Sequence, residues 1–402
     1  MTQRYDVAVI GAGPVGSYTA WKLAESGIGV VAFESHRTPD DNVVCTGIIS
    51  NDCWKKYIQP LGIPSRPLDS ATLFSPTGMS LRISQPGPQA YIIDRPSLNR
   101  VLSEKAASSG AAYRYEARVS GVITSPDRCL VQFSQNGTNH EITSDIVVAA
   151  CGLNSPIPRQ QGLAPFRHRV IGAQTEVKAG IGDIEVYFDN ELAPGGFAWL
   201  APTSGESALA GLVSRPNAIR HLRTFLERLQ RDGRIASISS ISQKAIPVGM
   251  RRRTVNGRFA IVGEAAGQTK ATTFGGIYTG LLCADLLVDT ILAASAGNSP
   301  PEPVLKTYDR TWRQKIGGEL ARGYRLRRFY DSLDNRSIDR IFKIVESNGL
   351  IQRVLKRSDY SFDWHSGLLT RVLSNPGQVP SLLFHGPVWS PRMLWEFARM
   401  VL

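Results

Sequence analysis

Cysteine is scarce in this 402-residue sequence: five residues, at 45, 53, 129, 151 and 283, odd in number and without a C-x-x-C pair. That argues against a disulfide framework or a zinc ribbon and for reduced thiols in a reducing compartment. The six histidines show no metal-ligand spacing, so no metal is expected. No eighteen consecutive residues are apolar, so no membrane-spanning helix is expected. The apolar beginning has neither a basic n-region nor a small-residue cleavage site, which argues against a signal peptide and for the cytoplasm, with contact to a membrane surface left open. Basic runs interleaved with aromatics are missing, so no nucleic-acid partner is expected. No nucleophile-elbow signature places a Ser/His/Asp set, and there are no internal repeats.

What is present is charge of one sign in excess. The formal net charge is +12, which suits either an anionic partner, such as a lipid headgroup or phosphorylated substrate, or a solvated basic surface. The length exceeds one typical core, so two or three packed units are expected.

The chain is organised around its first thirty-odd residues. The run Val7 to Ile10 is short, β-branched and bounded by glycine, as a buried parallel strand should be. Gly11 permits a sharp turn, Gly13 lets backbone amides approach a pyrophosphate, and Gly16 lets the following helix lie close to the strand. Pro14 suits the first helical position. Phosphates would sit on the unpaired amides of that helix N-terminus. Glu34, with Ser35 beside it, closes a second strand (29–33) where a carboxylate can accept from both ribose hydroxyls of an adenosine. Strand, G-x-G-x-x-G turn, helix and acid at this spacing predict a dinucleotide site.

Further along, residues 71–83 alternate like strands around a turn at 75–78, and Pro96 opens a helix that Gly110 stops near Ser109. Residues 119–123, 129–134 and 140–143 read as a meander, and 145–151 as a buried strand that returns to the nucleotide sheet. Residues 171–177, 183–188, 196–200 and 207–213 alternate, interrupted by a helix at 218–232, as an antiparallel sheet would. A second strand, glycine-rich turn and helix occupies 258–294, and the remainder is helical and basic. Two grips roughly 250 residues apart imply one extended cofactor held at two places.

Residues 263–280 are similar to the late motif of the geranylgeranyl reductase family of FAD-dependent oxidoreductases, within the para-hydroxybenzoate hydroxylase-like flavoprotein fold. Cys45-Thr46-Gly47 resembles that family's loop beside the flavin, residues 194–202 its aromatic-tryptophan-proline motif, and residues 308–328 its C-terminal helix. The resemblance implies FAD, held by the first glycine turn, by Cys45, Thr46, Gly47 and Arg95, and by Gly263, Glu264, Gly267, Gly275, Gly276 and Ile277. It implies an α/β fold: an FAD-binding doubly wound (Rossmann-like) domain (1–70, 91–160 and 258–297), an antiparallel-sheet substrate domain (71–90 and 161–257) and a helical C-terminal region (298–402). The sequence departs from the family pattern at Cys151, Glu264, Ala271 and Phe274, where the family has aspartate, aspartate, proline and glycine. Glutamate in place of aspartate shifts the carboxylate by about 1.5 Å, and Phe274 would narrow the site or stack on a ring.

The implied reaction is hydride transfer from reduced flavin to an isolated double bond of a geranylgeranyl or other hydrophobic chain, with NADPH or ferredoxin as electron donor. An unpolarised alkene also needs a proton. Cys45 is the first candidate donor or positioner, against a small residue packed in a turn; Tyr278 is the second, against helix packing. Phe197, Trp199, Pro202 and Phe274 would line the substrate, against plain sheet core. Lys315, Arg322, Arg325, Arg327 and Arg328 form an expected basic face for anionic headgroups, and Trp389, Met393, Trp395, Phe397 and Met400 an expected interfacial or tunnel-capping end. Two other readings compete: an FAD-dependent monooxygenase or hydroxylase of the same fold, and a prenyl-binding protein without catalysis. A flavin halogenase is disfavoured by the absence of its tryptophan motif.

Overall fold

The structure is a computed structural model that describes residues 3–296, 301–347, 362–364 and 366. Strand Arg4–Ile10 turns at 11–13 into helix Pro14–Glu25 and returns as strand Val30–Phe33. These two strands pair in parallel within an eight-stranded sheet. Apolar side chains cover both of its faces, one by the cluster around Leu23, Leu98 and Leu287, the other by that around Phe33, Phe133 and Phe259. That explains the unbroken hydrophobic run in Val7 to Ile10.

The sequence reads residues 140–143 and 145–151 as separate strands. They are one strand, Thr138–Ala149. Its first half pairs antiparallel with Cys129–Gln135. Its second half pairs in parallel with Arg4–Ile10 on one side and Phe259–Ile261 on the other. Burial follows the same division, exposed at the start and buried throughout at the end, which is why one strand shows two hydrophobic patterns.

A second, seven-stranded sheet is ordered Ser242–Val248, His168–Lys178, Ser207–Ser214, Phe197–Pro202, Ile184–Tyr187, Ser70–Phe74, Ser80–Ser84. It is antiparallel except where Ile184–Tyr187 runs parallel to Ser70–Phe74, a correction to the all-antiparallel expectation. Helix Ala218–Arg231 buries Leu222, Phe225, Leu226 and Leu229 against one face, on Ala198, Leu200, Ala210 and Leu212. The i, i+3, i+4, i+7 spacing puts these four on one stripe, each stabilising by about 2 kcal/mol. The opposite face carries Trp199, Ala201 and Val213 toward Phe274 and Ile92.

Helix Ile277–Ala296 is long and apolar enough to cross a membrane by length and composition, yet 61% of its most apolar window is buried inside the fold. It packs between Pro14–Glu25 and Pro301–Trp312, and a helix apolar on most sides is what such a position requires. Its Asp285 accepts hydrogen bonds from Tyr18 (2.6 Å), Tyr57 (2.7 Å) and Lys56 (2.7 Å). A carboxylate so held ties three elements together.

A π-turn at Arg313–Gly317 leads into helix Gly318–Tyr330, and Asn335–Ser347 follows. Trp389, Met393, Trp395, Phe397 and Met400 lie outside the described residues.

Candidate functional site

The first turn is built by exclusion. A Cβ on Gly16 would stand 1.9 Å from the Gly11 carbonyl oxygen, and one on Gly11 (φ +97°) 2.7 Å from that of Ala150. A Cβ on Gly13 would meet nothing within 4 Å, so this backbone faces open space. The carboxylate of Glu34 accepts from the Ala12 N–H (3.0 Å) and, through its other oxygen, from the His36 N–H (3.0 Å). Ser35 also reaches it, at 3.3 Å. His36 Nδ1 also lies 2.7 Å from that second oxygen, which is thereby fully engaged, so the oxygen bonded to Ala12 is the one that keeps acceptor capacity for a further hydroxyl.

The late turn sits directly against the first. The side chain of Val15 fills the space between Gly263 and Gly280, where a Cβ would lie 3.3 and 2.6 Å from it. Gln268, fully buried, accepts from the Gly263 N–H (2.7 Å) and donates to Tyr308 (2.9 Å), whose hydroxyl donates to the Ile261 carbonyl (3.1 Å). Gly267, at φ +74°, passes so close to Gly249 that a Cβ would meet its carbonyl oxygen at 2.3 Å. Glu264 pairs with Lys244 of the second sheet at 2.8 Å. The longer acid thus reaches a partner on the other layer, a pairing no local signal in the sequence announces.

The 45–47 loop leads into strand Ile48–Ser50, which pairs with Ala90–Ile93. Gly47 (φ +78°) packs on Ile93 and Arg95, where a Cβ would come within 2.5 Å of the Ile93 carbonyl oxygen. Arg95 is buried and donates to Asn99 (3.2 Å), while its Nε has no partner. Thr46 donates to Gln174 of the second sheet at 3.2 Å, and Cys45 beside it is partly exposed. Cys53, by contrast, is buried, and burial pushes its thiol well up. Lys270 forms a buried ion pair with Asp363 and lies over the ring of Phe362, 4.7 Å from its centroid. Breaking one side of such a pair is costly. Tyr278 opens the long helix and meets the ring of Tyr57 at 6.1 Å. Burial, followed by the carboxylates of Asp363 and Asp52, pushes its phenol up to about 12. Ile277 starts the same helix, next to Gly275 and Gly276, where Cβ atoms would lie 3.4 and 3.0 Å from the hydroxyls of Thr273 and Thr269.

On the second sheet, Phe197 and Trp199 stand on the face turned to Phe274. Trp199 has room because its cross-strand neighbour is Gly211, where a Cβ would overlap the indole at 2.4 Å. Phe197 and Phe274 stack with centroids 5.8 Å apart. Pro202, out of phase with these by the strand period of two, falls on the other face. Phe274 has φ +56°, a left-handed conformation that costs a non-glycine residue about 1 kcal/mol. Glycine at this position in the resembling family therefore has a backbone reason.

The expected basic C-terminal face is corrected at Arg327. It is buried at 5% exposure, with its guanidinium 5.0 Å from the Phe274 ring centroid and bonded to Asp331 (3.0 Å). Lys315 is exposed, as a solvated face requires. Lys244, Gln268 and Asp363 are not singled out by the sequence, and Arg327 is read there as part of a basic face, not as a buried group. Gln268 lies within the late motif and was signalled by position alone.

These surroundings suit a dinucleotide flavin: open space above Gly13, glycines that admit no Cβ at both turns, and buried Arg95 Nε and Thr269 Oγ1 without partners. Comparison with known proteins agrees. The FAD binding domain family matches residues 4–319. A digeranylgeranylglycerophospholipid reductase of Methanosarcina mazei is 28% identical over 364 residues, 84% of this chain and 88% of the relative. A geranylgeranyl bacteriochlorophyll reductase-like protein from Thermoplasma acidophilum superposes with a TM-score of 0.82 at 18% identity, covering 95% of this chain and 99% of that one. A p-nitrophenol 4-monooxygenase from Pseudomonas putida superposes with a TM-score of 0.71 at 16% identity, over 89% of this chain and 95% of that one.

Proposed function

The chain belongs to the FAD-binding domain family, and from that premise we propose that it saturates isolated double bonds of a geranylgeranyl-type chain. It is an FAD-dependent oxidoreductase. The observation that carries the finer reading is the apolar wall of Phe197, Trp199 and Phe274, raised beside the late glycine turn. An aromatic wall with its one charged contact, Arg327, at the Phe274 end suits a hydrocarbon chain, and the curated relative named above is a digeranylgeranylglycerophospholipid reductase.

Reduced FAD, when bound, supplies hydride. The residues around it have four tasks. Gly13 and the helix beginning at Pro14 hold the pyrophosphate, and Glu34 accepts from the adenosine ribose. Arg95, Thr46 and Gly47 frame the flavin side. Phe197, Trp199 and Phe274 lay the chain flat and keep water out, which matters because the alkene acquires positive charge at its more substituted carbon as it is protonated. Cys45 Sγ holds the proton for that carbon's neighbour. Electrons arrive from transiently bound NADPH or from ferredoxin. A lipid substrate also implies contact with a membrane surface.

The test is an absorption spectrum, anaerobic reduction with dithionite, addition of geranylgeranyl diphosphate or a geranylgeranyl lipid, and mass spectrometry. A flavin spectrum with a gain of two mass units for each double bond reduced is the expected result. An oxygen-dependent product, without saturation, would transfer the protein to the hydroxylase reading that the monooxygenase neighbour keeps open.

A further inference from the structure

Three polar atoms without hydrogen-bond partners are buried around one end of the aromatic wall: Arg327 Nη2, Tyr330 Oη and Asn190 Oδ1. Arg327 and Tyr330 are three residues apart on helix Gly318–Tyr330 and share one face. The guanidinium is packed between two rings, 5.0 Å from the centroid of Phe274 and 4.8 Å from that of Tyr330. Asn190 is on the loop beside Phe188, whose ring meets Tyr330 at 5.9 Å. Its amide nitrogen is committed to the Leu333 carbonyl (2.6 Å), which leaves the side-chain oxygen unsatisfied.

Buried polar atoms without partners are costly, and folded proteins rarely leave several in one place; here Arg327 Nη2 and Tyr330 Oη are the donors and Asn190 Oδ1 is an acceptor. The nearest carboxylate does not remove the deficit. One oxygen of Asp331 accepts from Arg327 Nε at 3.0 Å, and the other accepts from Arg215. Two guanidiniums share the Asp331 carboxylate, and the Asp189 carboxylate acts on Tyr330 as well, so the charges of the group balance while Arg327 Nη2 still lacks a partner. Arg327 is thereby held in a fixed orientation with one arm unspent, and burial pushes the Tyr330 phenol up, so that it remains an O–H donor. A charged N–H and a phenolic O–H one helical turn apart suit a phosphoryl oxygen, because guanidinium and phosphate form strong charge-assisted hydrogen bonds.

We propose that Arg327 and Tyr330 form a seat for a phosphoryl oxygen at the polar end of the substrate, the hydrocarbon lying along Phe274, Phe197 and Trp199. The seat rests on the prenyl-chain reading above. It gives the wall a direction, with the polar end at Arg327, and makes Arg327 a determinant of headgroup preference.

The test uses the full-length FAD-loaded protein under anaerobic conditions. Tryptophan fluorescence follows titration with geranylgeranyl diphosphate, geranylgeraniol, digeranylgeranylglycerophosphate and inorganic pyrophosphate. In the unaltered protein the phosphorylated chains should bind at least about tenfold more tightly than the alcohol, as expected for hydrogen bonds to a charged group. Arg327→Gln should reduce that preference to under about twofold while leaving the affinity for the alcohol in place. Tyr330→Phe, which removes only an unpaired hydroxyl, should reduce the preference about threefold with Tm unchanged or raised, and it carries the test if Arg327→Gln does not fold. Tighter binding of the glycerophosphate than of the diphosphate would assign the seat to a lipid headgroup, and the reverse to a diphosphate. Equal loss for alcohol and phosphate in Arg327→Gln, or no preference in the unaltered protein, overturns the seat and leaves water as its occupant. Prenyl probes that are reduced without such preference would sink the seat alone. Pyrophosphate binding that depends on Arg327, with neither prenyl probe bound, would sink the prenyl reading and keep the seat.

Discussion

The two glycine-rich turns use the same residue for different ends. At the first, two of the three glycines answer to backbone, Gly16 to the Gly11 carbonyl and Gly11 to Ala150, while Gly13 faces open space. At the second, side chains from distant elements complete the turn: Gln268 with Tyr308, Glu264 with Lys244, Lys270 with Asp363, and Phe274 with Phe197 and Arg327. Three of the four departures from the family pattern, Glu264, Ala271 and Phe274, lie in the second turn. A turn made by backbone tolerates one sequence; a turn made by partners can change along with them. On the proposed reading, the cofactor grip would be set by the first turn, and the freedom to alter substrate would lie in the second.

Substitutions can break or sharpen that contrast. The largest effect belongs to Gly16→Val, whose Cβ has only 1.9 Å to the Gly11 carbonyl oxygen. The purified protein should be colourless, with FAD affinity reduced at least about 100-fold in a flavin titration while circular dichroism stays native-like, because only Gly lets the helix approach the strand here. Normal flavin content would refute the steric account of the first turn. Next come Phe274→Ala and Phe274→Gly, each losing a buried ring worth about 3 kcal/mol. Because the backbone there is left-handed (φ +56°), the glycine variant should be the more stable of the two by about 1 kcal/mol in urea denaturation. The opposite order would mean that the backbone relaxes when the ring is gone.

Lys244→Ala should weaken FAD binding two- to fivefold, about 0.5–1 kcal/mol for a partly exposed pair. The loss should vanish in a Glu264→Gln background, and an undiminished loss there would show that the two charges act separately. The smallest effect is expected at Tyr278. Its phenol is pushed from 10.0 to about 12 in the folded protein. Below pH 10 both states keep the proton and the stabilisation is fully present; between about pH 10 and 12 the unfolded phenol ionises first, so stability falls as pH rises. Tyr278→Phe should make that alkaline decline slightly shallower and leave turnover unchanged if the residue serves packing. A large loss of turnover would restore it as a proton donor.

The first turn was legible because its requirements are local: a buried strand, three glycines at fixed spacing, a helix and an acid. The helix Ala218–Arg231 was legible for the same reason, with its four-residue stripe. Strand Ser242–Val248, which carries Lys244, and the small sheet of Ile48–Ser50, Ser65–Leu68 and Ala90–Ile93 were not read. Short strands without regular alternation give little signal, and what defines them is the neighbour they pair with. Arg327 was read as surface from its charge and its basic neighbours. Its burial follows from Phe274 and Tyr330, two rings that meet it only in the folded chain. The long helix Ile277–Ala296 shows the converse: a sequence of membrane length made apolar by packing on several sides, with Asp285 as the sign that its surroundings are protein.

Strand Thr138–Ala149 lies between Arg4–Ile10 and Phe259–Ile261, with Cys129–Gln135 alongside its first half. On the ribosome this arrangement imposes a schedule. The first glycine turn is synthesised almost immediately, yet the sheet on which it rests stays incomplete until residue 261 has emerged, and the second turn follows it directly. Long-range strand pairing is slow and leaves unpaired edges exposed while it waits. Flavin capture is therefore a late event in the life of the nascent chain, and any product ending short of Ile261 carries an intact N-terminal fingerprint but lacks the fold that would let it hold a cofactor.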